Sequence, residues 1–120
     1  MKGKILVADD DAGIVDALQM VLEDADYEVS TTTDGHTVRK VHKNRPDVIL
    51  LDIWMSGDDG RDICRFLKSQ QQTRNIPIIM ISATSDLAKS AKAAGADDFL
   101  PKPFHMEHLL EKVEKYVKTS

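Results

Sequence analysis

The sequence predicts a single doubly wound α/β domain, in which a five-stranded parallel sheet lies between two layers of helices. The chain has 120 residues, which is the length of one domain. Short apolar runs and amphipathic stretches alternate along it five times. The runs at 48–51 and 78–81 contain no polar residue. Strands that are apolar on both faces are typical of a parallel sheet covered by helices on both sides.

The first two strand–helix units occupy the N-terminal part of the chain. An apolar strand is predicted at 5–8, directly before the three consecutive aspartates 9–11. Apolar residues then recur at helical spacing from Ile14 to Ala25, which predicts an amphipathic helix. A second strand is predicted at 27–32, and Asp34-Gly35 marks a turn or the start of a short second helix.

The last three units repeat this order of an apolar strand followed by an amphipathic helix. Their strands are predicted at 48–51, 76–81 and 98–100, and their helices at 63–67, 87–94 and 109–117. The fourth helix is rich in small residues and is expected to stop at Gly95. We expect one domain over residues 1–120.

Charge and cysteine content exclude several function classes. Sixteen basic and twenty acidic residues give a formal charge of −4, and this mild acidic excess gives no support to non-specific nucleic-acid binding, which needs a basic surface. Cys64 is the single cysteine, so an internal disulfide is excluded, and its apolar helical neighbours predict a buried, unreactive thiol. No apolar run approaches the roughly 18 residues of a membrane span, and the N-terminus does not resemble a signal peptide. These features favour a cytoplasmic protein with no membrane partner.

Polar residues that directly follow the apolar strands are the candidates for a functional site. In doubly wound sheets, ligands bind at the carboxyl ends of the strands. Parallel strands place all those ends at one edge, so the residues that follow them converge there. The residues concerned are Asp9, Asp10, Asp52, Ser82 and Lys102.

The three acids among them predict a divalent cation site. Asp9, Asp10 and Asp52 would repel one another at close range, and a cation relieves that repulsion. A few hard oxygen ligands with open positions suit Mg²⁺. Asp9 and Asp10 alone are equally consistent with a helix start, and Asp52 on the neighbouring strand favours the metal. Asp11 is assigned to capping the first helix.

Asp52, Ser82 and Lys102 together have the groups of a phosphoryl-transfer site. A carboxylate can attack phosphorus and form an acyl phosphate. A metal and an ammonium offset the charge on the phosphoryl oxygens, and a hydroxyl donates a hydrogen bond to one of them. A lone serine at a strand end or a lysine in solvent is common without function. The prolines on both sides of Lys102 restrict its backbone, and a cis Lys102–Pro103 bond would fit a tight turn there.

All these motifs, taken in order, make the chain resemble the receiver domain of two-component response regulators. Single-domain members of the chemotaxis-regulator type are similar in size and layout. The resemblance covers about residues 4–118 and implies a flavodoxin-like sheet with strand order 2-1-3-4-5. The segments that carry it are 5–11, 48–55, Gly60, 78–83 and 95–104.

The resemblance implies a role for each acidic residue of the site. Asp52 would accept a phosphoryl group from a histidine of a sensor kinase or of a histidine phosphotransfer protein. Asp10, Asp52 and the backbone carbonyl of Trp54 would ligate Mg²⁺ directly, and Asp9 would hold it through water. The domain would be a signalling switch and not an enzyme in the usual sense, although it would catalyse its own phosphorylation and dephosphorylation.

The resemblance also implies how the phosphoryl group is read. Ser82 and Lys102 would bind its oxygens. Ser82 and Phe99 would act as the switch, although Phe99 lacks the hydroxyl of the tyrosine that relatives often carry there. Trp54 and Thr84 would tune the lifetime of the phosphoryl group. A downstream partner would bind the face of the fourth helix, fifth strand and fifth helix, and the chain would be a monomer or a weak dimer.

Three other functions remain as alternatives. A haloacid-dehalogenase-like phosphatase also uses an aspartyl nucleophile, but it needs a second Asp two residues later, where this chain has Trp54, and usually a longer chain. A flavodoxin-like cofactor binder would need a Ser-, Thr- or Gly-rich loop after the first strand, where this chain has aspartates. A receiver that has lost phosphorylation would not need the complete set of site residues.

Overall fold

The computed structural model describes residues 2–119, apart from the side chains of residues 42, 118 and 119. This part of the chain contains seven strands and five helices. The strands are β1 Lys4–Ala8, β2 Glu28–Thr32, β3 Val48–Asp52, β4 Trp54–Met55, β5 Asp58–Asp59, β6 Ile78–Ser82 and β7 Asp98–Pro101. The helices are α1 Ala12–Asp24, α2 Gly35–Arg39, α3 Gly60–Ser69, α4 Leu87–Ala94 and α5 Met106–Thr119, with a 3₁₀ turn at Val41–Lys43.

Five of the strands form one parallel sheet in the order β2-β1-β3-β6-β7. The two short strands β4 and β5 form a separate antiparallel hairpin. Counted without that hairpin, the sheet has the order 2-1-3-4-5, so the predicted fold class is confirmed. The hairpin was not predicted, because two-residue strands have no periodic pattern.

Two apolar layers cover the sheet, one on each face. Alternate residues of a strand point to opposite faces, so Ile49 and Leu51 of β3 pack with α2, α3 and α4, whereas Val48 and Leu50 pack with α1 and α5. β3 and β6 are buried along their whole length. The uninterrupted apolar runs therefore reflect burial on both faces. β2 lies at the sheet edge and is largely exposed, which explains its polar sequence.

Helix ends follow the local signals of the sequence. Asp11, Asp34 and Asp59 cap α1, α2 and α3 by accepting hydrogen bonds from backbone N–H groups of the first turn. Gly95 follows α4 with a φ of 84°, in the left-handed region that favours glycine. The Lys102–Pro103 peptide is cis.

Cys64 is fully buried in the layer that contains α3. Burial raises the pKa of its thiol to about 11, which keeps it protonated at neutral pH and agrees with the predicted unreactive thiol. No helix in the described residues is long and apolar enough to cross a membrane.

Replacing Asp11 by Ala should lower the free energy of unfolding by about 1 kcal/mol. The reason is that the N–H groups of Gly13 and Ile14 both donate to the Asp11 carboxylate, at 2.9 and 3.3 Å. Asp11→Ser retains a capping oxygen and should preserve most of the stability. Urea unfolding followed by circular dichroism measures both values, and equal losses in the two variants would contradict the capping role.

Candidate functional site

The carboxyl edge of the sheet brings four of the predicted residues into one cluster. Carboxylate oxygens of Asp9, Asp10 and Asp52 all lie within 4.8 Å of one another. Lys102 Nζ donates hydrogen bonds to Asp9 Oδ2 at 2.8 Å and to Asp52 Oδ2 at 3.3 Å. The sequence separations are large, yet the parallel topology places the ends of β1, β3 and β7 at the same edge.

Burial differs sharply among these residues. Asp9 is 0% exposed and Asp52 is 5% exposed, whereas Asp10 faces solvent. Asp9 Oδ1 also accepts a hydrogen bond from the Asp11 N–H at 3.0 Å, which fixes the orientation of the carboxylate. The cluster therefore joins two buried acids to one solvent-facing acid.

The electrostatics of this cluster favour a cation. Burial, and then the charge of Asp9, raise the pKa of Asp52 to about 6, although Lys102 opposes the shift. Burial lowers the pKa of Lys102, but its hydrogen bonds to Asp9 and Asp52 and their charges outweigh burial and raise it overall. Of the three carboxylates, those of Asp9 and Asp52 share the one ammonium of Lys102. The excess negative charge and the hard oxygen donors together fit Mg²⁺.

Ser82 lies at the end of β6 and is almost fully buried, at 1% exposure. Its Oγ lies 2.9 Å from Thr84 Oγ1 and accepts a hydrogen bond from the Thr84 N–H at 3.2 Å. The backbone N–H of Lys102 donates to the Ser82 carbonyl at 2.9 Å, which joins the end of β6 to the site lysine. Thr84 is thus the direct partner of the Ser82 hydroxyl, a contact that the sequence did not reveal.

Trp54 lies on the hairpin that follows Asp52. It pairs with Asp59 across the hairpin, and 55% of its surface is exposed. After the hairpin, the chain comes back to the end of β3. There the Gly60 N–H donates a hydrogen bond to the carbonyl of Ile53, the residue after β3, at 2.6 Å. A Cβ atom at Gly60 would collide with the backbone carbonyl of Asp52, so this close approach requires glycine.

Phe99 lies on β7, away from the charged cluster. It is partly buried and packs against the apolar layer that contains α3 and α4. The structure therefore separates the predicted site residues into three groups. Asp9, Asp10, Asp52 and Lys102 form the cluster; Ser82 is paired with Thr84 at a neighbouring strand end; Trp54 and Phe99 occupy the hairpin and β7.

Sequence reasoning missed Arg61, which belongs to this edge of the molecule. Its guanidinium lies over the Trp54 ring, with Cζ 5.4 Å from the ring centroid. It also forms an ion pair with Asp59 at 2.7 Å. The only available signal was the acid–x–Arg spacing of Asp59 and Arg61, which is too common to be assigned to a site.

In the metal-free protein, Asp52 should make the fold less stable as pH rises. Its pKa is raised from the ordinary 3.8 to about 6, so folding favours the protonated carboxyl, and that stabilisation is complete below about pH 4 and lost as pH rises through 6. Asp52→Asn lacks this dependence. Its advantage over wild type in free energy of unfolding should therefore grow between pH 4 and 7, by up to about 3 kcal/mol.

Urea unfolding at each pH, in the presence of EDTA, measures this difference. Asp11→Asn alters an exposed acid beside the cluster and serves as the matched control. A difference between Asp52→Asn and wild type that did not change with pH would contradict the raised pKa.

Comparison with known sequences finds response regulators and their receiver domain. Residues 5–114 match the family model of the response regulator receiver domain. The chain is 34% identical over 116 residues to MtrA of Mycobacterium tuberculosis, described as a DNA-binding response regulator; the match covers 94% of this chain and 50% of MtrA. It is 35% identical over 121 residues to the response regulator MprA of a Mycobacterium species, covering 98% of this chain and 52% of MprA. The chain spans about half the length of these curated relatives.

Solved structures extend the similarity to the fold. A putative response regulator from Chloroflexus aurantiacus has a TM-score of 0.89 at 31% identity, covering 97% of this chain and 98% of that one. The chemotaxis response regulator CheY4 of Vibrio cholerae has a TM-score of 0.85 at 34% identity, covering 94% of this chain and 97% of that one. With the family model matching nearly its whole length, the chain belongs to the response regulator receiver domain family.

Proposed function

We propose that the chain is a phosphoryl-accepting switch of a two-component phosphorelay, with Asp52 as the acceptor. The observation that carries this proposal is a buried carboxylate at the end of the central strand, 3.3 Å from the Lys102 ammonium and beside two further acids. In the reaction, an Asp52 oxygen attacks the phosphorus of a phosphohistidine. The phosphorus–nitrogen bond breaks, the imidazole leaves, and an acyl phosphate remains on Asp52.

Asp10, Asp52 and the backbone carbonyl of Trp54 would ligate Mg²⁺ directly, and Asp9 would hold it through water. When bound, the ion offsets the negative charge that collects on the phosphoryl oxygens. The three carboxylates already converge within 4.8 Å, so the ligand set needs no rearrangement of the strands. Asp10 is exposed and leaves the open side from which a phosphodonor can approach.

Lys102 and Ser82 would bind the phosphoryl oxygens. Lys102 holds both Asp9 and Asp52, and its ammonium can pass from the Asp52 carboxylate to the phosphoryl group without leaving Asp9. Ser82 is held by Thr84. A phosphoryl oxygen is a stronger acceptor than the Thr84 hydroxyl, so phosphorylation draws the Ser82 hydroxyl toward Asp52.

The movement of the Ser82 hydroxyl would be transmitted through Phe99 to the face formed by α4, β7 and α5. The neighbouring Asp98 accepts hydrogen bonds from Lys112 Nζ and from the Tyr116 hydroxyl, each at 3.0 Å, so α5 is tied to β7 next to the switch residue. Repacking of Phe99 against α4 would therefore alter the face formed by α4, β7 and α5. We place the downstream protein partner on this face.

The phosphodonor would be a histidine kinase or a histidine phosphotransfer protein. An apolar cavity of about 340 Å³ is bordered by the site lysine, Lys102, and lined by residues of α1, of the loop that precedes α5 and of the first turn of α5. Such a surface suits the apolar side of a helix that presents a histidine to Asp52. MtrA is named as DNA-binding, but the net charge of −4 gives no basis for direct nucleic-acid binding by this chain. We expect a cytoplasmic monomer or weak dimer.

The alternative of an aspartyl-nucleophile phosphatase is not supported. The family match and the relatives are receiver domains and response regulators. Trp54 also stands where such an enzyme needs its general acid. The domain is a signalling module. We propose that it catalyses the gain and loss of its own phosphoryl group.

Incubation with a small phosphodonor and Mg²⁺ should add one phosphoryl group to the wild-type chain and none to Asp52→Asn. Intact-mass spectrometry measures the gain, and the adduct should be stable in acid and labile in base, as an acyl phosphate is. Asp11→Asn, which changes the exposed neighbour of the cluster, should label like wild type. Labelling of Asp52→Asn to the wild-type level would show that another residue is the acceptor.

Trp54→Ala should shorten the life of the acyl phosphate by about fivefold, a barrier change of about 1 kcal/mol. We propose that the indole and Thr84 flank the path of the attacking water, and that the bulky indole slows its entry. Loss of the phosphoryl mass over time measures the rate. Phe66→Ala removes another exposed aromatic that also lies under an arginine, and should leave the rate unchanged. An unchanged rate in Trp54→Ala would disprove shielding.

A further inference from the structure

Arg61 connects the hairpin to the start of α3 through three separate contacts. Its Nε and Nη2 atoms donate to Asp59 Oδ1 at 3.0 Å and to Asp59 Oδ2 at 2.7 Å. Its own N–H donates to Asp59 Oδ1 at 2.8 Å. The guanidinium also lies over the Trp54 ring, with Cζ 5.4 Å from the centroid. Arg61 and Asp59 keep only 30% and 29% of their side-chain surface exposed.

The geometry of these contacts follows from the backbone. Trp54 and Asp59 face each other across the hairpin, so the partner of the guanidinium and the ring beneath it lie side by side. The Gly60 N–H holds the hairpin against Ile53, one residue after Asp52. Trp54, Asp59 and Arg61 therefore form a closed arrangement that is anchored directly beside the phosphoryl acceptor.

An arginine is suited to this place in a way that lysine is not. Its planar fork can bind both carboxylate oxygens of Asp59 while its face stacks on an aromatic ring. A second arginine makes the same two kinds of contact. Arg39 donates to both carboxylate oxygens of Asp58, and its Cζ lies 5.3 Å from the centroid of the Phe66 ring. Phe66 lies on α3, whereas Trp54 lies on the hairpin two residues after Asp52, so of the two arrangements only that of Arg61 involves a ring on this hairpin.

We propose that Arg61 is a positioning residue that holds the Trp54 indole beside Asp52 and thereby sets how fast water reaches the acyl phosphate. Without the stacked guanidinium, the exposed indole turns freely about its side-chain bonds and covers the site for only part of the time. The inference rests on the proposed role of Asp52 for its effect on lifetime. The contact between Arg61 and Trp54 is independent of that role.

The first experiment tests the contact in the unphosphorylated protein. Trp54 is the single tryptophan of the chain, so intrinsic fluorescence reports on this ring alone. In Arg61→Gln, the local motion seen in the anisotropy decay and the rate of acrylamide quenching should both increase. Arg65→Gln is the matched control, because Arg65 lies one turn further along α3 and pairs with Asp62; it should match wild type. Unchanged fluorescence in Arg61→Gln would overturn the proposal whether or not Asp52 accepts phosphate.

The second experiment tests the consequence for the acyl phosphate. Arg61→Gln should shorten its half-life by about threefold, as expected for loss of one exposed cation–π contact, and Arg61→Lys should fall between that variant and wild type. In a Trp54→Ala background, Arg61→Gln should have no further effect, because Arg61 acts through the indole. Equal effects in both backgrounds would show direct action on the phosphoryl group and would overturn the positioning role, as would an unchanged half-life with increased indole motion.

Thermal unfolding of each variant separates positioning from loss of the fold. If no variant, including wild type, gains phosphate, the proposed function fails while the fluorescence experiment still decides the Arg61–Trp54 contact. A half-life that returned toward wild type in Arg61→Lys, together with intermediate indole motion, would support positioning over a general structural role.

Discussion

The burial of two carboxylates beside one ammonium is the interaction on which the rest of this structure depends. Asp9 and Asp52 lie at the ends of adjacent strands and are nearly removed from water. Lys102, 93 residues from Asp9 in the chain, offsets only part of their charge. Such a cluster is costly to fold unless the surrounding structure supplies the energy. The strands β3 and β6 supply it, because apart from Asp52 and Ser82 at their ends they are apolar and are buried between two helix layers.

The strands that hold the acids are rigid, whereas the residues proposed as the switch have room to move. The strands β1 and β3 fix the positions of the acids. The groups that would respond to a phosphoryl group are Ser82, the last residue of β6, and Phe99, near the start of β7. Ser82 has a neighbouring partner, Thr84, that it can exchange for a stronger one. Phe99 is only partly buried, so it can change its packing at small cost. Under the proposed function, a local change of charge at Asp52 would thereby be converted into a change of shape on another face.

The hairpin after β3 places the Trp54 side chain close in sequence to Asp52 and under the Arg61 guanidinium. The backbone contact of Gly60 with Ile53 brings the start of α3 against the acceptor strand. The Arg61 guanidinium lies over the Trp54 ring. In our proposal, the shared fold provides the acceptor, and the side chains of this hairpin set how well the acceptor is screened from water.

The sequence by itself determined the order of the elements and the identity of the charged cluster. Burial imposes a local period on each strand and helix, and parallel strands must end at one edge, so Asp9, Asp52 and Lys102 could be assigned before any coordinates. The order of the strands came from the family resemblance, because periodicity does not encode which strands pair. Only the tertiary structure decided the stacking of Arg61 on Trp54. That contact depends on the path of a hairpin whose two-residue strands carry no periodic signal. It also depends on side-chain directions that no sequence pattern specifies.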